Sequence, residues 1–543
     1  MMALPQEQVP LLQPDQPDQP DPPESSHDQN HLNMAAAEDI PVDVTPNGGD
    51  AVSPDEARRI LRRIDWHIMP LLFLTYCFNF MDKTIISSAS VFGLRQDTHL
   101  HGSNYSWVSS IFYFGYFLWA YPTTLLVARL PVAKYLAVTT LLWGTVVALT
   151  AACSNYGGLL TVRFFLGVFE ATVTPALMFI TSTWYTRDEI PTRTGIWFAG
   201  NSVGGIVSSL LAYGIGHITN SLSPWRWMFI ILGVATFLMG FAVLFSLPDT
   251  ISKAKFLTPE ERQWAGDRVV IAGTGKTENT TWNWEQMLEC LQDPKTYLIW
   301  SIALLCQIPN GGTQSFANLV ITSFGFTSLQ STLINIPYSV LSITAIAGSG
   351  WLAGRFRSMN CILIGLVVIP PVVGSALIGS RSSIPHGVSL FGYFLISTGP
   401  AALPLLLSLV QSNYRGVTKK MTMTAMLFIA YCTGNIVGPQ LFKAAEEPTY
   451  STAFRAIMIC YALVVCLVAI LRTYLQLLNK KRQQTEGIEG NSGTSGAVGG
   501  GKVVDVTDRR DVTITEMVNE VQLRPEDYED VTDWKTFGFR YRL

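Results

Sequence analysis

Residues 78–88 read FNFMDKTIISS, so Asp82 and Lys83 stand side by side in a stretch whose other residues suit hydrocarbon. A charge at mid-bilayer costs about 2.5–3.5 kcal/mol even on insertion scales, and such residues face a protein interior or a water-filled path. If the helix enters near His67, Lys83 lies about 24 Å along it at about 1.5 Å per residue. That depth prevents Asp82 from snorkelling back to the entry surface. Asn79, Asp82, Lys83 and Ile86 fall at i, i+3, i+4 and i+7 and so share one helix face. A lysine on that face attracts an anion, and the adjoining carboxylate keeps it charged or exchanges a proton. The competing expectation is an ion pair that only packs helices.

A second constellation is VRFFLGVFEATVTP, residues 162–175, where Arg163, Gly167, Glu170 and Thr174 recur at helical spacing. The glycine permits close helix approach, and Pro175 frees backbone carbonyls for polar contacts. Glu170 is the candidate proton-coupling carboxylate. Alternatively, Arg163 and Glu170 form a static gate or structural salt bridge. Further along, PNGG at 309–312 is expected to interrupt a helix near its start, and GNSVG has its counterpart in TGNIVGPQ at 433–440. Asn310, Gln314 and Asn435 are candidates for lining a cavity, or else act as interhelical glue. Basic pairs at LLVARLPVAK (125–134, with Arg129) and GWLAGRFR (350–357, with Arg355) fall at matching places in the two parts of the chain. They suit a conformational latch or ordinary anchoring; Arg187, at another such break, joins them as a gating candidate.

The elements that must position these residues follow from composition. The chain has 543 residues, 48% hydrophobic and 14% charged, with mean hydropathy +0.28, whereas soluble domains are about 25% charged. So few charges cannot cover a soluble surface, which makes this an all-α membrane protein. A crossing needs about 20 apolar residues. Such runs occur near 67–89, 106–128, 134–153, 158–182, 194–216 and 226–247, then near 297–319, 331–354, 359–379, 387–411, 421–441 and 452–475. These twelve helices form two groups of six. Arg58, Arg59, Arg62 and Arg63, the basic pairs above, Arg415, Lys419 and Lys420, and Lys480, Lys481 and Arg482 all fall on one side. The positive-inside rule puts both termini in the cytoplasm.

The expected organisation is a disordered stretch at 1–57, six-helix bundles at 58–247 and 297–475, a cytoplasmic linker at 248–296 and a tail at 476–543. In the linker, LTPEERQWAGDRV (257–269) suggests an amphipathic helix capped by Thr258 ahead of Glu260 and Glu261. GNSGTSGAVGGG (490–501) is a flexible composition, while DVTDWKTFGFRYRL (530–543) mixes aromatics and charges in a way that suits local docking. AGTGKT (272–277) resembles the end of a phosphate-binding loop, but Val270 stands where the motif needs glycine, so no nucleotide or other cofactor is expected. The cysteines, Cys77, Cys153, Cys306, Cys432, Cys460 and Cys466 among them, lack metal-ligand spacing and read as small buried hydrophobes. No nucleophile with a base and no metal cluster points to an enzyme, and no basic surface points to nucleic acid.

Several of these stretches resemble the major facilitator superfamily, in its fungal anion:cation symporter branch of allantoate and nicotinate permeases. They are FMDKTIISSASVFGL (80–94), SWVSSIFYFGYFLWAYP (106–122), RFFLGVFEA (163–171), WYTRDEIPTRTGIWF (184–198), PWRWMF (224–229), DPKTY (293–297), NGG (310–312) and GNIVGPQLF (434–442), and FRYRL (539–543) looks like the family's tail. The resemblance implies two six-helix halves that move a small organic anion with protons by alternating access. It implies a carboxylate, vitamin or ureide-like cargo and a chain that works as a monomer in the plasma membrane. Members often carry arginine where this chain has Lys83, and a lysine keeps the charge without the bidentate geometry. On this reading Asn79, Lys83, Asn310, Gln314 and Asn435 bind substrate, Asp82 and Glu170 couple protons, and Arg163, Arg129, Arg187 and Arg355 gate or brace. An exporter or exchanger of a small metabolite, or a non-transporting nutrient sensor on the same fold, is the alternative.

Overall fold

The computed structural model describes residues 54–186, 189–218, 222–271, 283–356, 358–380, 385–492, 532–535 and 539–543. Arg187, Arg357, the AGTGKT stretch and most of the glycine-rich stretch lie outside them. The described residues form helices and no strand. In order these are α1 (Pro54–Val91), the short α2 (Leu94–Asp97), α3 (Asn104–Arg129), α4 (Val132–Thr150), α5 (Tyr156–Glu170) with α6 (Val173–Trp184), α7 (Ile190–Phe198) with α8 (Gly200–Ile215), and α9 (Pro224–Ser246). Two linker helices follow, α10 (Pro259–Ile271) and α11 (Trp284–Gln292). The second half comprises α12 (Pro294–Thr322), α13 (Ser328–Arg355), α14 (Asn360–Gly379), α15 (His386–Ile396) with α16 (Ala402–Asn413), α17 (Val417–Gln440) and α18 (Ser451–Ser492).

Nine stretches among the described residues are long and apolar enough to cross a bilayer. The helices α1, α3 and α12, with 38, 26 and 29 residues, have the length but are more polar. The reason is chemical: α1 carries Asn79, Asp82 and Lys83, α3 carries four tyrosines, and α12 carries Gln307, Asn310, Gln314 and Asn318. Most of these groups, Asn79, Asp82, Tyr105, Tyr113, Tyr116, Gln307 and Asn318 among them, are buried in protein, whereas Tyr121 is exposed.

Packing repeats between the halves. In the first, α1 lies on α8, α3 on α5 and α4 on α9; in the second, α12 lies on α17, α13 on α16 and α14 on α18. Glycines set the closest seams. A Cβ at Gly438 would lie 2.3 Å from the carbonyl oxygen of Ile308, and one at Gly434 would lie 2.5 Å from Cβ of Gln307. The matching GNSVG glycines, Gly200 and Gly204, meet Phe73 and Cys77 of α1 in the same way. Both motifs therefore let one helix touch another's backbone.

Three crossings are broken, though not where PNGG suggested. The helix α12 runs straight through Pro309 and its glycines. The chain instead breaks at Ala171–Thr172, at Ala199 and around Gly399–Ala401. Pro175 and Pro400 have no N–H for the carbonyls of Ala171 and Ile396, which accounts for two of the three breaks.

Both described ends lie on one side of the bundle, here the near side. There α10 begins with the capping box read from the sequence: Thr258 N donates to Glu261 Oε2 (2.9 Å) and Glu261 N to Thr258 Oγ1 (3.2 Å). Arg63 of α1 grips the same carboxylate at 2.8 Å, and Arg268 reaches Glu189 at 2.8 Å. Thus α10 is fastened to the first half, while α11 packs on α17 of the second. Cys466 faces outward from α18, unlike the other seven cysteines, which are buried.

Candidate functional site

The lysine of the opening motif points to the centre, between the halves. Lys83 Nζ lies 2.9 Å from Glu170 Oε1, with side-chain exposures of 12% and 0%. Asn79, one turn back, ties the two: its Nδ2 donates to Glu170 Oε1 (2.8 Å) and its Oδ1 accepts from Lys83 Nζ (3.0 Å). Glu170 is the last residue of α5, directly before the break at Ala171–Thr172, so its carboxylate projects from a helix end and not from a regular ladder. Lys83 sits under two rings of α3, with Nζ 5.4 Å from the centroid of Tyr116 and 5.9 Å from that of Phe112. A cation over ring faces is held without being neutralised.

Asp82 turns away from this group. It is buried in the first half with Glu170 and Arg163 of α5 and the indole N–H of Trp143 of α4 as its polar neighbours, without a well-formed hydrogen bond to either carboxylate oxygen. The shared face expected of Asn79, Asp82 and Lys83 is therefore split: the pair to Lys83 is Glu170. Arg163 forms no salt bridge with Glu170; its guanidinium lies 5.5 Å from the ring of Phe229, and Nε and Nη2 are unpartnered. Glu170 Oε2 and Trp143 Nε1 are unpartnered too. Buried polar atoms almost always find partners, so the orphans gathered around Asp82, Arg163 and Glu170 set this place apart from an ordinary helix interior.

The second half contributes a ladder of amides. Asn310 Nδ2 donates to Gln307 Oε1 (3.1 Å), Gln314 Nε2 donates to Asn310 Oδ1 (3.2 Å), and Asn435 Nδ2 donates to Gln307 Oε1 (3.3 Å) and to the carbonyl of Tyr431 (2.8 Å). Gln307, the hub, was not singled out in the sequence. Neither were the aromatics that join the two groups: Tyr113 and Tyr116 of α3 meet Tyr431 and Phe428 of α17, with centroids 6.0 Å apart for Tyr113–Tyr431 and 5.4 Å for Tyr116–Phe428. The signal for the first set was present, since tyrosines three apart inside the apolar run SSIFYFGYFLW share a face. Arg129 and Arg355 stand exposed at the near-side ends of α3 and α13, without an ion pair among the described residues, which fits anchoring better than a closed latch.

Directional bonds between the halves gather on the far side, while α8 packs on α13 and α3 on α17 further down. Arg95 pairs with Glu447 at 2.9 Å. Tyr105 Oη donates to the carbonyl of Ser315 (2.7 Å), Ser110 Oγ donates to that of Ile436 (2.8 Å), and Asn318 N donates to Ser87 Oγ (3.0 Å). These bonds all lie between the far-side ends of the helices. The Lys83 group is therefore shut off from the far side and bounded at mid-depth by the tyrosines.

Known proteins share this plan. Residues 72–439 match the model of the Major Facilitator Superfamily. An uncharacterized transporter of Schizosaccharomyces pombe is 35% identical over 465 residues, 84% of this chain and 86% of that one. Allantoate permease of Saccharomyces cerevisiae is 32% identical, covering 80% and 82%, and the thiamine pathway transporter of the same yeast is 28% identical, covering 81% and 85%. Among solved structures, the D-xylose-proton symporter superposes with a TM-score of 0.57 at 13% identity, covering 75% of this chain and 97% of that one. A bacterial homologue of the human lysosomal transporter Spinster, in its inward-facing and occupied conformation, gives 0.56 at 14%, covering 75% and 95%. With two thirds of its length matched by the family model and full-length fungal relatives above 30% identity, this chain belongs to the Major Facilitator Superfamily, as a multi-pass membrane transporter and not an enzyme.

Proposed function

We propose that the protein is a proton-coupled secondary transporter of a small organic anion, working by alternating access across twelve crossings with both termini in the cytoplasm. The observation that carries this is the Lys83–Glu170 pair at 2.9 Å, buried at the middle of the molecule beneath Tyr116 and Phe112 of α3, with Tyr116 in turn against Phe428 of the second half. An anion arriving at Lys83 competes with Glu170 for its charge; once displaced, Glu170 is a buried carboxylate without a counter-ion, and burial favours its proton-bound form. Substrate and proton then bind together without a separate relay. Asp82 and Arg163, with their unpartnered atoms, hold a second ionisable pair within reach of the same proton. The amides of Gln307, Asn310, Gln314 and Asn435 supply donors and acceptors for the rest of the cargo.

The relatives support this class. Allantoate, the cargo in the name of one of them, is a ureide carboxylate, and a single lysine with an amide ladder suits such a molecule. The far-side seal suits a state open to the cytoplasm, ready to release an imported anion.

The test is substrate-dependent proton flux in proteoliposomes with an imposed pH gradient, screened across small carboxylates, ureides and vitamins. Flux that appears with one anion and vanishes in Glu170→Gln supports coupled transport. Anion uptake that proceeds unchanged in Glu170→Gln, with or without the gradient, would overturn the coupling.

A further inference from the structure

A second buried charge cluster lies far from Lys83, at the near-side end of the second half. Lys295 Nζ is 2.9 Å from Asp293 Oδ2, and Lys419 Nζ is 2.6 Å from Glu289 Oε1, with both lysine side chains fully buried. Two cations and two carboxylates already balance. A third carboxylate nevertheless enters between them: Asp533, from the end of the chain, bonds to Lys295 Nζ and lies 2.8 Å from Lys419 Nζ.

The residues around Asp533 grip this segment along its length. Tyr541 Oη donates to Asp533 Oδ2 (2.8 Å), Trp534 Nε1 to Asp293 Oδ2 (3.0 Å), and Thr532 Oγ1 to Glu289 Oε2 (2.9 Å). The rings of Trp534 and Tyr541 cover Lys419 and Lys295 at 4.7 and 4.4 Å. Two asparagines then read the segment's backbone as a neighbouring strand would. Asn413 accepts from Arg542 N (2.7 Å) and donates to its carbonyl (2.9 Å), and Asn479 does the same for Tyr541 (2.9 and 2.9 Å). Arg482 donates to the carbonyls of Asp533 (2.8 Å) and Phe539 (3.1 Å).

We propose that the near-side end of the second half is a peptide-binding site whose in-chain ligand is the terminal segment, docked by insertion of Asp533 between Lys295 and Lys419. The site is built from α11, Asp293 at the junction with α12, and α12, α16, α17 and α18, none of which belongs to the segment itself. Its charges balance without Asp533, so an emptied site keeps a counter-ion for each lysine and need not collapse. Recognition is divided as in other peptide sites: charge and aromatic contacts select the side chains, and paired amides hold the backbone. The hydrogen bonds, ion pairs and ring contacts named above all run from the segment to the second half and to α11. Docking therefore staples the near-side ends of α12, α16, α17 and α18 into one body and leaves the movement between halves free.

The test uses the full chain. Amides at Tyr541 and Arg542 are protected only if the segment is seated, so their hydrogen exchange should be at least ~tenfold faster in Asp533→Asn than in the unaltered protein. Carbodiimide should join Lys535 to Glu285, whose charged atoms are 3.6 Å apart and exposed, in the unaltered protein but not in the variant. Equal exchange and equal cross-linking in the two would overturn the docking. A synthetic peptide of residues 532–543 added to full-length Asp533→Lys should restore the lost melting temperature, and the same peptide with asparagine at 533 should not. If neither peptide binds the folded variant, or both bind alike, the site does not recognise Asp533 and the proposal fails. None of these readouts depends on what the protein transports.

Discussion

The two buried charge clusters differ in how completely they are satisfied. At the near side, each lysine touches at least two carboxylates and two aromatic rings. At the centre, Lys83 has one carboxylate, Glu170 Oε2 and both oxygens of Asp82 have no partner, and Arg163 has two unpartnered nitrogens. Desolvating a charge is costly in either place. A group that pays that cost and still lacks partners has been left free to take one, whereas a cluster whose lysines each hold two carboxylates is architecture; its hydrogen-bond orphan, Asp533 Oδ1, is held by charge 2.8 Å from Lys419 Nζ. The difference separates a site where something binds and leaves from one where the protein binds itself.

The comparison is broken most directly by removing the central cation. Lys83→Met should lower anion uptake by ~100-fold or more, equivalent to about 3 kcal/mol, which is the scale of removing one member of a buried pair. Protein delivered to the membrane should fold, because Glu170 can take a proton in place of its partner. Uptake within a factor of two of the unaltered transporter would place the anion elsewhere.

Asp533→Asn should do the reverse. Substrate KM should stay unchanged while stability falls by about 2 kcal/mol, below the usual range for a broken buried pair because each lysine keeps another carboxylate. Melting of the purified protein in detergent, read beside uptake kinetics, checks both halves of the statement. A raised KM with unchanged melting would reverse the roles assigned to the clusters.

Asn79→Ala sharpens the central case. Its amide orients both Lys83 and Glu170, so its loss should leave the ion pair but relax its geometry, with uptake falling ~10-fold, or about 1.4 kcal/mol. The pH profile should move with it, since Glu170 loses a donor; a lower rate with an unshifted profile would mark Asn79 as packing only.

The sequence showed the central charges because they are anomalies against a hydrophobic background. Asp82, Lys83, Arg163 and Glu170 stand out on α1 and α5 by type alone, and the positive-inside pattern orders the helices around them. What stayed hidden is partner choice. Asp82 and Lys83 are adjacent in sequence, yet consecutive helical positions diverge by about 100°, and the lysine meets Glu170 while the aspartate meets the interior of its own half. Gln307 looked like one more amide until the seam at Gly434 and Gly438 brought Asn435 against it. Asp533 lies 238 positions from Lys295, in a segment whose composition alone suggested docking without naming a partner. Type and periodicity are local properties; pairing depends on tertiary closure.

The smallest effect concerns acid. Burial works against the charge on Asp533, but Lys295 and Lys419 outweigh it and hold its carboxyl below the ordinary aspartate range. A carboxyl lowered on folding contributes stability that is fully present above the unfolded value of about 3.9 and is lost as pH falls through the lowered folded value. The terminal segment should therefore stay seated near neutral pH, and melting temperature should hold this contribution down to about pH 4. Below that, the unaltered protein should lose stability faster than Asp533→Asn, whose neutral amide has no proton to take up, until the two curves converge. Under the proposed function the central cluster should behave differently, because any proton taken by Glu170 would depend on whether an anion occupies Lys83. Acid titration of melting, with and without substrate, thus distinguishes a charge held for structure from one held for exchange: only the second should shift when cargo is added.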